Sequence, residues 1–217
     1  VVGYDLAHAA GNLKLALHDD DVDFAVWCSY KYLNAGPGGI AGAFVHERHA
    51  ENLDLPRFAG WWGHDKATRF LMGPNFEPIV GAEGWQLSNP PIFQLAALRA
   101  SLEIFDSATM ATLRARSVEL TGTLDRLLRQ IKSDRIELIT PKDPDQRGCQ
   151  LSIRVRTPGQ AETRPADSED ERSIAAEPMG RVSNLFKELT ERGVVADWRE
   201  PDVIRVAPVP YIVLLKY

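Results

Sequence analysis

Eleven residues, Ser29 to Gly39 (SYKYLNAGPGG), set one lysine between two tyrosines, directly after the apolar run Val22 to Trp27 and directly before a Gly/Pro-rich turn. The apolar, β-branched run predicts a strand, and that strand hands Lys31 to a loop of permissive backbone. A lysine in such a seat can form a Schiff base with an aldehyde cofactor such as pyridoxal 5'-phosphate (PLP). The plainer alternative is a surface lysine in a turn. PLP chemistry asks a protein for an imine-forming lysine, a carboxylate facing the pyridinium nitrogen and donors for the phosphate. Asp5 is the candidate carboxylate, although an aspartate at a strand end is by itself an ordinary turn residue.

Around these two residues stand others able to take part. His8, three residues after Asp5, could stack on or hydrogen-bond a cofactor, or simply pack. Tyr30 could donate to a phosphate or act as a general acid, whereas Tyr32 points the opposite way along an extended backbone and reads as packing. Trp61, Trp62, Gly63 and His64 form an aromatic cluster whose indole N–H groups suit a phosphate or an aromatic substrate, unless both tryptophans are core. Asn89 in Ser88-Asn89-Pro90-Pro91 can cap a helix, and the same helix start is a natural anion site. Arg205 interrupts the apolar strand Val203 to Ala207. A charge there needs a partner, either a substrate carboxylate held in a bidentate fork or an internal Asp or Glu.

The elements that must position these groups begin with a short strand, Val1 to Tyr4, then helical spacing over Asn12 to His18, then the strand Val22 to Trp27. Strand, helix, strand predicts a βαβ unit with parallel strands. Ligands bind beyond the carboxyl ends of such strands, so Asp5 and Tyr30-Lys31 should converge on one cleft. Ile40 to Val45 predicts a further strand. Residues 56–89, dense in Trp, Gly, Pro and His, read as a long functional loop region. Apolar recurrence predicts a helix through Leu95, Leu98, Leu102 and Phe105. After a break near Asp106-Ser107 it resumes from Leu113 to Ile131. Strands are predicted at Ile136 to Thr140, Gln150 to Val155, Val194 to Ala196 and Val203 to Ala207, with a helix from Val182 to Arg192 closed by Gly193. The polar, acidic stretch 157–180 reads as a disordered insert. A larger α/β piece precedes a smaller α+β layer.

The bulk numbers agree with a globular protein of one or two domains: 217 residues, 44% hydrophobic, 25% charged. A net charge of −5 provides no basic footprint for nucleic acid or an anionic membrane. Nothing approaches the ~20 apolar residues of a membrane helix. Cys28 and Cys149 fit no metal or disulfide spacing and suggest a reducing, cytoplasmic setting. The chain opens without Met, as if inside a strand already under way, and is expected to be a piece of a longer protein.

Taken together, YDLAHAAGN (Tyr4 to Asn12), VDFAVWCSYKYLNAGPGGIAGAFVHE (Val22 to Glu47), GWWGH (Gly60 to His64), SNPPI (Ser88 to Ile92), RGCQLSI (Arg147 to Ile153) and IRVAPVP (Ile204 to Pro210) resemble the kynureninase family. The resemblance covers nearly the whole chain outside the acidic insert and the last seven residues. It implies the α/β fold type I architecture of PLP-dependent enzymes: residues 1–105 as the C-terminal part of the PLP-binding large domain, 106–132 as a connecting helix, and 133–217 as a small α+β domain. It also implies a homodimer with a shared active site and hydrolysis of L-kynurenine or 3-hydroxy-L-kynurenine to anthranilate or 3-hydroxyanthranilate plus L-alanine, in tryptophan catabolism and de novo NAD biosynthesis. Carried over by motif, Lys31 would be the Schiff-base lysine and Asp5 the pyridinium partner. His8 and Tyr30 would line the cofactor, with Tyr30 also the proton donor in the catalytic cycle. Trp61 and Asn89 would complete the cofactor and substrate pocket from the neighbouring subunit, and Arg205 would hold the α-carboxylate. No metal is implied.

This sequence departs from the family in lacking its N-terminal portion, with the Ser/Thr phosphate-binding turns and the aromatic that covers the ring. The insert at 157–180 and the closing YIVLLKY are further departures. Two alternatives stand beside the family reading. One is a catalytically incompetent fragment. The other is a cysteine desulfurase-like PLP lyase, whose S-x-H-K-x-x-G-P pattern has histidine where Tyr30 stands, and which needs a mobile nucleophilic cysteine.

Overall fold

The computed structural model describes residues 1–156 and 176–210. The chain divides into two compact units, Val1–Ala111 and Thr112–Tyr217. Among the described residues, no helix is long and apolar enough to cross a membrane.

The first unit is built on a three-stranded sheet, β1 (Gly3–Asp5), β2 (Phe24–Cys28) and β3 (Ala41–Val45), in that spatial order. β1 and β2 are parallel with Asp5 opposite Val26, and β3 returns antiparallel, Cys28 opposite Ala41. The parallel pairing matches the expected βαβ connection, but its crossover is not helical. Residues 6–21 form successive turns, closed by bonds such as Ala10 N–H to Leu6 C=O and Asp20 N–H to Ala16 C=O. Gly11 at φ 80° and Asp21 at φ 56° bound the stretch Asn12 to His18, and within it residues 14–16 belong to neither a turn nor a helix. The crossover still covers the sheet: Leu6, Val22 and Ala25 are buried, with Ala9, Leu17, Trp27 and Phe44 packed on them. Burying Val22 to 1% exposure is worth about 1.5–3 kcal/mol.

Partners in a ladder share a face, so Gly3, Asp5, Phe24, Val26 and Ala43 lie together on the opposite side. Phe24 lays its ring over Gly3, where a Cβ would come within 2.2 Å of it.

Residues 56–89 contain three short 3-10 turns, at Trp61–Gly63, Arg69–Leu71 and Ala82–Trp85. A single bridge joins His64 and Pro78. Helix α1 runs Ile92–Ala108 and α2 Met110–Gln130. The break falls at Thr109, with φ 63°, rather than at Asp106-Ser107. Asn89 does not cap α1: the N-cap position is Pro91 and no side chain caps it.

The second unit carries a four-stranded antiparallel sheet, spatial order β4-β5-β7-β6, from β4 (Ile136–Leu138), β5 (Leu151–Val155), β6 (Asp197–Arg199) and β7 (Val203–Val206). Its inner face buries Ile153, Val155 and Ile204 together with Val182. Leu128, Phe186, Leu189 and Trp198 pack around them. The strand expected at Val194 to Ala196 lies instead at Asp197–Arg199, because Trp198 is the residue that turns inward to meet Phe186, while Val195 stands 96% exposed.

Helix α3 spans Ala176–Glu191, so residues 176–180 of the expected disordered insert belong to a helix. Residues 157–175 of that expectation, and the closing YIVLLKY, lie outside the described residues. Gly193 at φ 80° ends α3 as expected: its N–H bonds Thr190 C=O, and Val194 N–H reaches back to Leu189 C=O.

Candidate active site

Asp5 ends β1, and Lys31 follows the end of β2 by three residues, so both sit at the carboxyl end of adjacent parallel strands. The two loops that leave those strands are docked on each other. Leu6 N–H donates to Val26 C=O at 2.8 Å, and Cys28 Sγ donates to Ala7 C=O at 3.8 Å. The His8 ring meets the Tyr32 ring edge-on with centroids 5.9 Å apart. Gly11 lies so close to the Tyr32 carbonyl that a Cβ there would come to 2.8 Å. Tyr32 thus packs, as its position in the strand-to-loop run suggested.

Asp5 is exposed, and its Oδ1 accepts from Ala7 N–H at 2.9 Å in a local turn. Oδ2 makes no hydrogen bond or ion pair among the described residues. Lys31 Nζ likewise forms no ion pair or hydrogen bond among the described residues, and lies 5.9 Å from the centroid of the Tyr30 ring. Tyr30 is 52% exposed. An amine and a carboxylate oxygen, each uncommitted, stand at one end of one sheet.

Behind Lys31 the backbone turns through left-handed residues Asn34, Gly36 and Gly38. Ala35 N–H returns to Ser29 C=O at 3.0 Å, and Asn34 N–H to Lys31 C=O at 3.0 Å. Gly39 closes on Ser29, whose buried hydroxyl has no hydrogen-bond partner among the described residues: a Cβ at 39 would come within 2.7 Å of that oxygen. From α1, the Ser101 hydroxyl donates to Leu33 C=O at 2.6 Å. The lysine loop is therefore anchored at Leu33, Ala35 and Gly39, while Gly36 and Gly38 at its tip face open space.

Trp61 and Asn89 belong to a second neighbourhood in the same unit. Trp62 N–H donates to Leu87 C=O at 3.5 Å and Gly63 N–H to Gln86 C=O at 3.0 Å, which seats the Trp61 turn beside the segment that leads to Asn89. Trp61 is 47% exposed and touches Trp62 edge-on. The Arg69 guanidinium stacks over both indoles, 4.6 Å from Trp62 and 5.7 Å from Trp61. Asn89 is exposed and accepts from the Ser88 hydroxyl at 3.1 Å. Among the described residues, no hydrogen bond, ion pair or ring contact joins Trp61 or Asn89 to Lys31 or Asp5.

In the second unit, Arg205 has an internal partner. Its Nε donates to Asp197 Oδ2 at 2.6 Å and its Nη2 bonds the same oxygen. Burial opposes ionisation of Asp197, but Arg205, helped by Arg199, outweighs it and holds the carboxyl below the ordinary carboxylate range. Sequence reasoning left the identity of that partner open, because Asp197 lies across a strand register that the misplaced Val194 to Ala196 strand obscured.

A further charged cluster, at the opposite end of the first sheet, was not foreseen. Asp23 accepts from Val2 N–H and Arg48 Nη2, both at 2.5 Å, and pairs with His49 Nε2 at 2.6 Å. His49, then the Val2 amide, then Arg48 hold its carboxyl far below the ordinary range. His18 pairs with Glu47 at 3.1 Å and stacks on His46 with ring centroids 4.8 Å apart. Glu47, then Asp19, push the His18 imidazole up. Among the described residues, no group of three or more His, Cys, Asp or Glu is arranged to hold a metal. Cys28 is partly buried and Cys149 buried, both as free thiols.

Comparison with known proteins adds the lineage. Residues 113–166 and 163–214 match the family profile described as Kynureninase C-terminal domain. The chain is 59% identical to the kynureninase of Myxococcus xanthus over 209 residues, 96% of this chain and 44% of that protein. It is 58% identical to that of Koribacter versatilis over 210 residues, 97% of this chain and 44% of that protein. Among solved structures, a C-DES mutant with glycine covalently linked to its PLP cofactor superposes with a TM-score of 0.62 at 20% identity, covering 93% of this chain and 45% of that one. A cysteine desulfurase from Thermococcus onnurineus gives 0.61 at 13% identity, covering 96% and 48%. Those likenesses establish the α/β fold, that of fold type I PLP enzymes. The chain spans under half the length of the curated relatives it matches. By the identity that runs through nearly all of its residues, the chain belongs to the kynureninase family.

Proposed function

We propose that this chain contributes the lysine, the ring-facing carboxylate and the carboxylate-binding arginine of a kynureninase. The reaction is the PLP-dependent hydrolysis of L-kynurenine or 3-hydroxy-L-kynurenine to anthranilate or 3-hydroxyanthranilate plus L-alanine. The observation that carries this reading is the placement of an uncommitted Lys31 amine and an uncommitted Asp5 oxygen at the same end of two adjacent parallel strands. In this reading, residues 1–105 bind the cofactor, 106–132 connect, and 133–217 form the small domain.

When bound, PLP supplies an aldehyde that captures an amine and a ring that takes up electrons from the substrate skeleton. Asp5 would face the ring nitrogen of the cofactor, and Lys31 Nζ would tether the cofactor and shuttle the substrate's Cα proton, taking it up and giving it back. Tyr30, beside Lys31, would supply the proton that the β-carbon needs when water cleaves the Cβ–Cγ bond. Arg205 holds the α-carboxylate. His8, fixed by Tyr32, lines the cofactor pocket. Trp61 and Asn89 complete it from a second copy in a homodimer. The apolar surface of Phe58, Phe70, Leu71 and Met72, each more than 75% exposed, supports that assignment. A cytoplasmic setting that keeps both thiols reduced belongs to the same reading.

A second reading is favoured by Phe24 and Val26, 45% and 47% exposed on the outer face of the first sheet. A chain that leaves this face bare holds the cofactor weakly, and acts as an incompetent fragment by itself. The desulfurase-like alternative loses ground to the seating of both cysteines, neither of which is a free-standing nucleophile.

The test is to add PLP to the purified chain, reduce with borohydride and map the modified peptide by mass spectrometry, then assay kynurenine turnover. Modification at Lys31 that disappears in Lys31→Ala, together with turnover, supports the kynureninase reading. Modification without turnover supports the fragment reading. Modification at other lysines with Lys31 untouched overturns both.

A further inference from the structure

Across the polar face of the second sheet runs one row of residues, Ser152 on β5, Arg205 on β7 and Asp197 on β6, since Arg205 is the register partner of both the others. Asp197 Oδ2 accepts from Arg205 Nε and Nη2, and from Arg199 Nε at 3.0 Å. The Nε–Nη2 edge of the Arg205 guanidinium is thus spent inside the sheet. Nη1 has no hydrogen-bond partner among the described residues and is not among their buried unpaired polar atoms. A guanidinium carries a second fork, formed by Nη1 and the remaining hydrogen of Nη2, with the spacing that a carboxylate fills bidentately. That fork is open.

We propose that Asp197 is a positioning residue for substrate binding: it clamps one edge of Arg205 so that the other stands ready for the α-carboxylate of the amino-acid substrate. This rests on the role given to Arg205 above. Two physical consequences favour the arrangement. A clamped guanidinium has already lost its rotamer freedom, so less is forfeited when the carboxylate arrives. Arg199 keeps the trio at a net charge of +1, so a second carboxylate is still attracted despite the first. On its own face of the sheet Arg205 is flanked across the ladder by Asp197 on one side and Ser152 on the other.

The experiment compares two inhibitors with the ketone skeleton of the substrate and no α-amine: 3-benzoylpropanoate, which has the carboxylate, and 3-benzoylpropanamide, which does not. In the PLP-loaded enzyme, Asp197→Asn is expected to raise KM for kynurenine roughly tenfold with kcat within about twofold. It should weaken 3-benzoylpropanoate by a similar factor, and leave 3-benzoylpropanamide unchanged. Asp197→Glu, which keeps the charge and shifts it by one methylene, should show a smaller loss with the same split between the two inhibitors. If Arg205→Lys discriminates between the inhibitors and both Asp197 variants bind like wild type, the positioning role is overturned and the role of Arg205 stands. If Arg205→Lys does not discriminate, the role of Arg205 falls, and the proposal with it. Equal weakening of both inhibitors in the Asp197 variants marks a merely structural residue and also overturns the proposal.

Discussion

The ring of His8 meets the ring of Tyr32 edge-on at 5.9 Å, and this contact ties the turn after Asp5 to the loop that carries Lys31. Two residues three positions beyond one strand and four beyond its neighbour are held face to edge, so the acid and the amine share a common mounting. Gly11 completes it, because only a residue without a side chain fits against the Tyr32 carbonyl at φ 80°.

Gly11→Ala should therefore cost about 1–3 kcal/mol through the left-handed backbone and the contact with Tyr32. Chemical denaturation checks the loss. The same variant should bind PLP more weakly than wild type, because the loop that must retreat is the one bearing Lys31.

Asp5→Asn preserves an acceptor for the Ala7 amide and removes the charge. The expected result is an unchanged unfolding midpoint, continued capture of PLP by Lys31, and turnover reduced by roughly 10²-fold or more. Borohydride trapping alongside steady-state assays separates capture from catalysis.

The far end of the sheet should respond to pH in two windows. The folded pKa of His18 is raised by Glu47 and Asp19, so its contribution is complete below the ordinary value near 6.5 and lost as pH rises through the folded value. The folded pKa of Asp23 is depressed by His49, the Val2 amide and Arg48. Its contribution is complete above the ordinary value of about 4 and lost as pH falls through the folded value. Thermal midpoints of His18→Gln should thus differ from wild type at about pH 6 and converge with it at alkaline pH. Those of Asp23→Asn should differ at about pH 7 and converge in acid.

Much of this was legible in sequence because strands and the αL glycine signal are local. Phe24–Cys28, Ala41–Val45, Leu151–Val155 and Val203–Val206 each lie within a residue or two of an apolar, β-branched run. Gly193 announced the end of α3 by its backbone freedom. What local pattern could not supply was the balance between competing periodicities. Leu13 and Leu17 have helical spacing, yet the residues between them, 14–16, form no helical turn, and left-handed Gly11 and Asp21 bound the stretch. Val194-Val195 looks like a strand, yet Trp198 has more to bury and sets the register at Asp197–Arg199. The same slip concealed the Asp197–Arg205 pair, which exists only once β6 and β7 are aligned.

Ile204 offers a control for the chemistry of its neighbour. It is 3% exposed between Ile153 and Trp198, so Ile204→Ala should cost about 2–5 kcal/mol by leaving a cavity. Denaturation should detect it, while affinity for 3-benzoylpropanoate, measured well below the midpoint, should change far less than in Arg205→Lys.

The turn that Asp5 makes with Ala7 has one more outcome. With Oδ1 accepting from a peptide two residues downstream, the Asp5 carboxylate is biased toward one orientation, and in the reading proposed above a heterocycle would meet its second oxygen along that bearing. Charge alone would not reproduce that aim: a glutamate would carry the same sign on a longer, unpinned stem and point nowhere in particular.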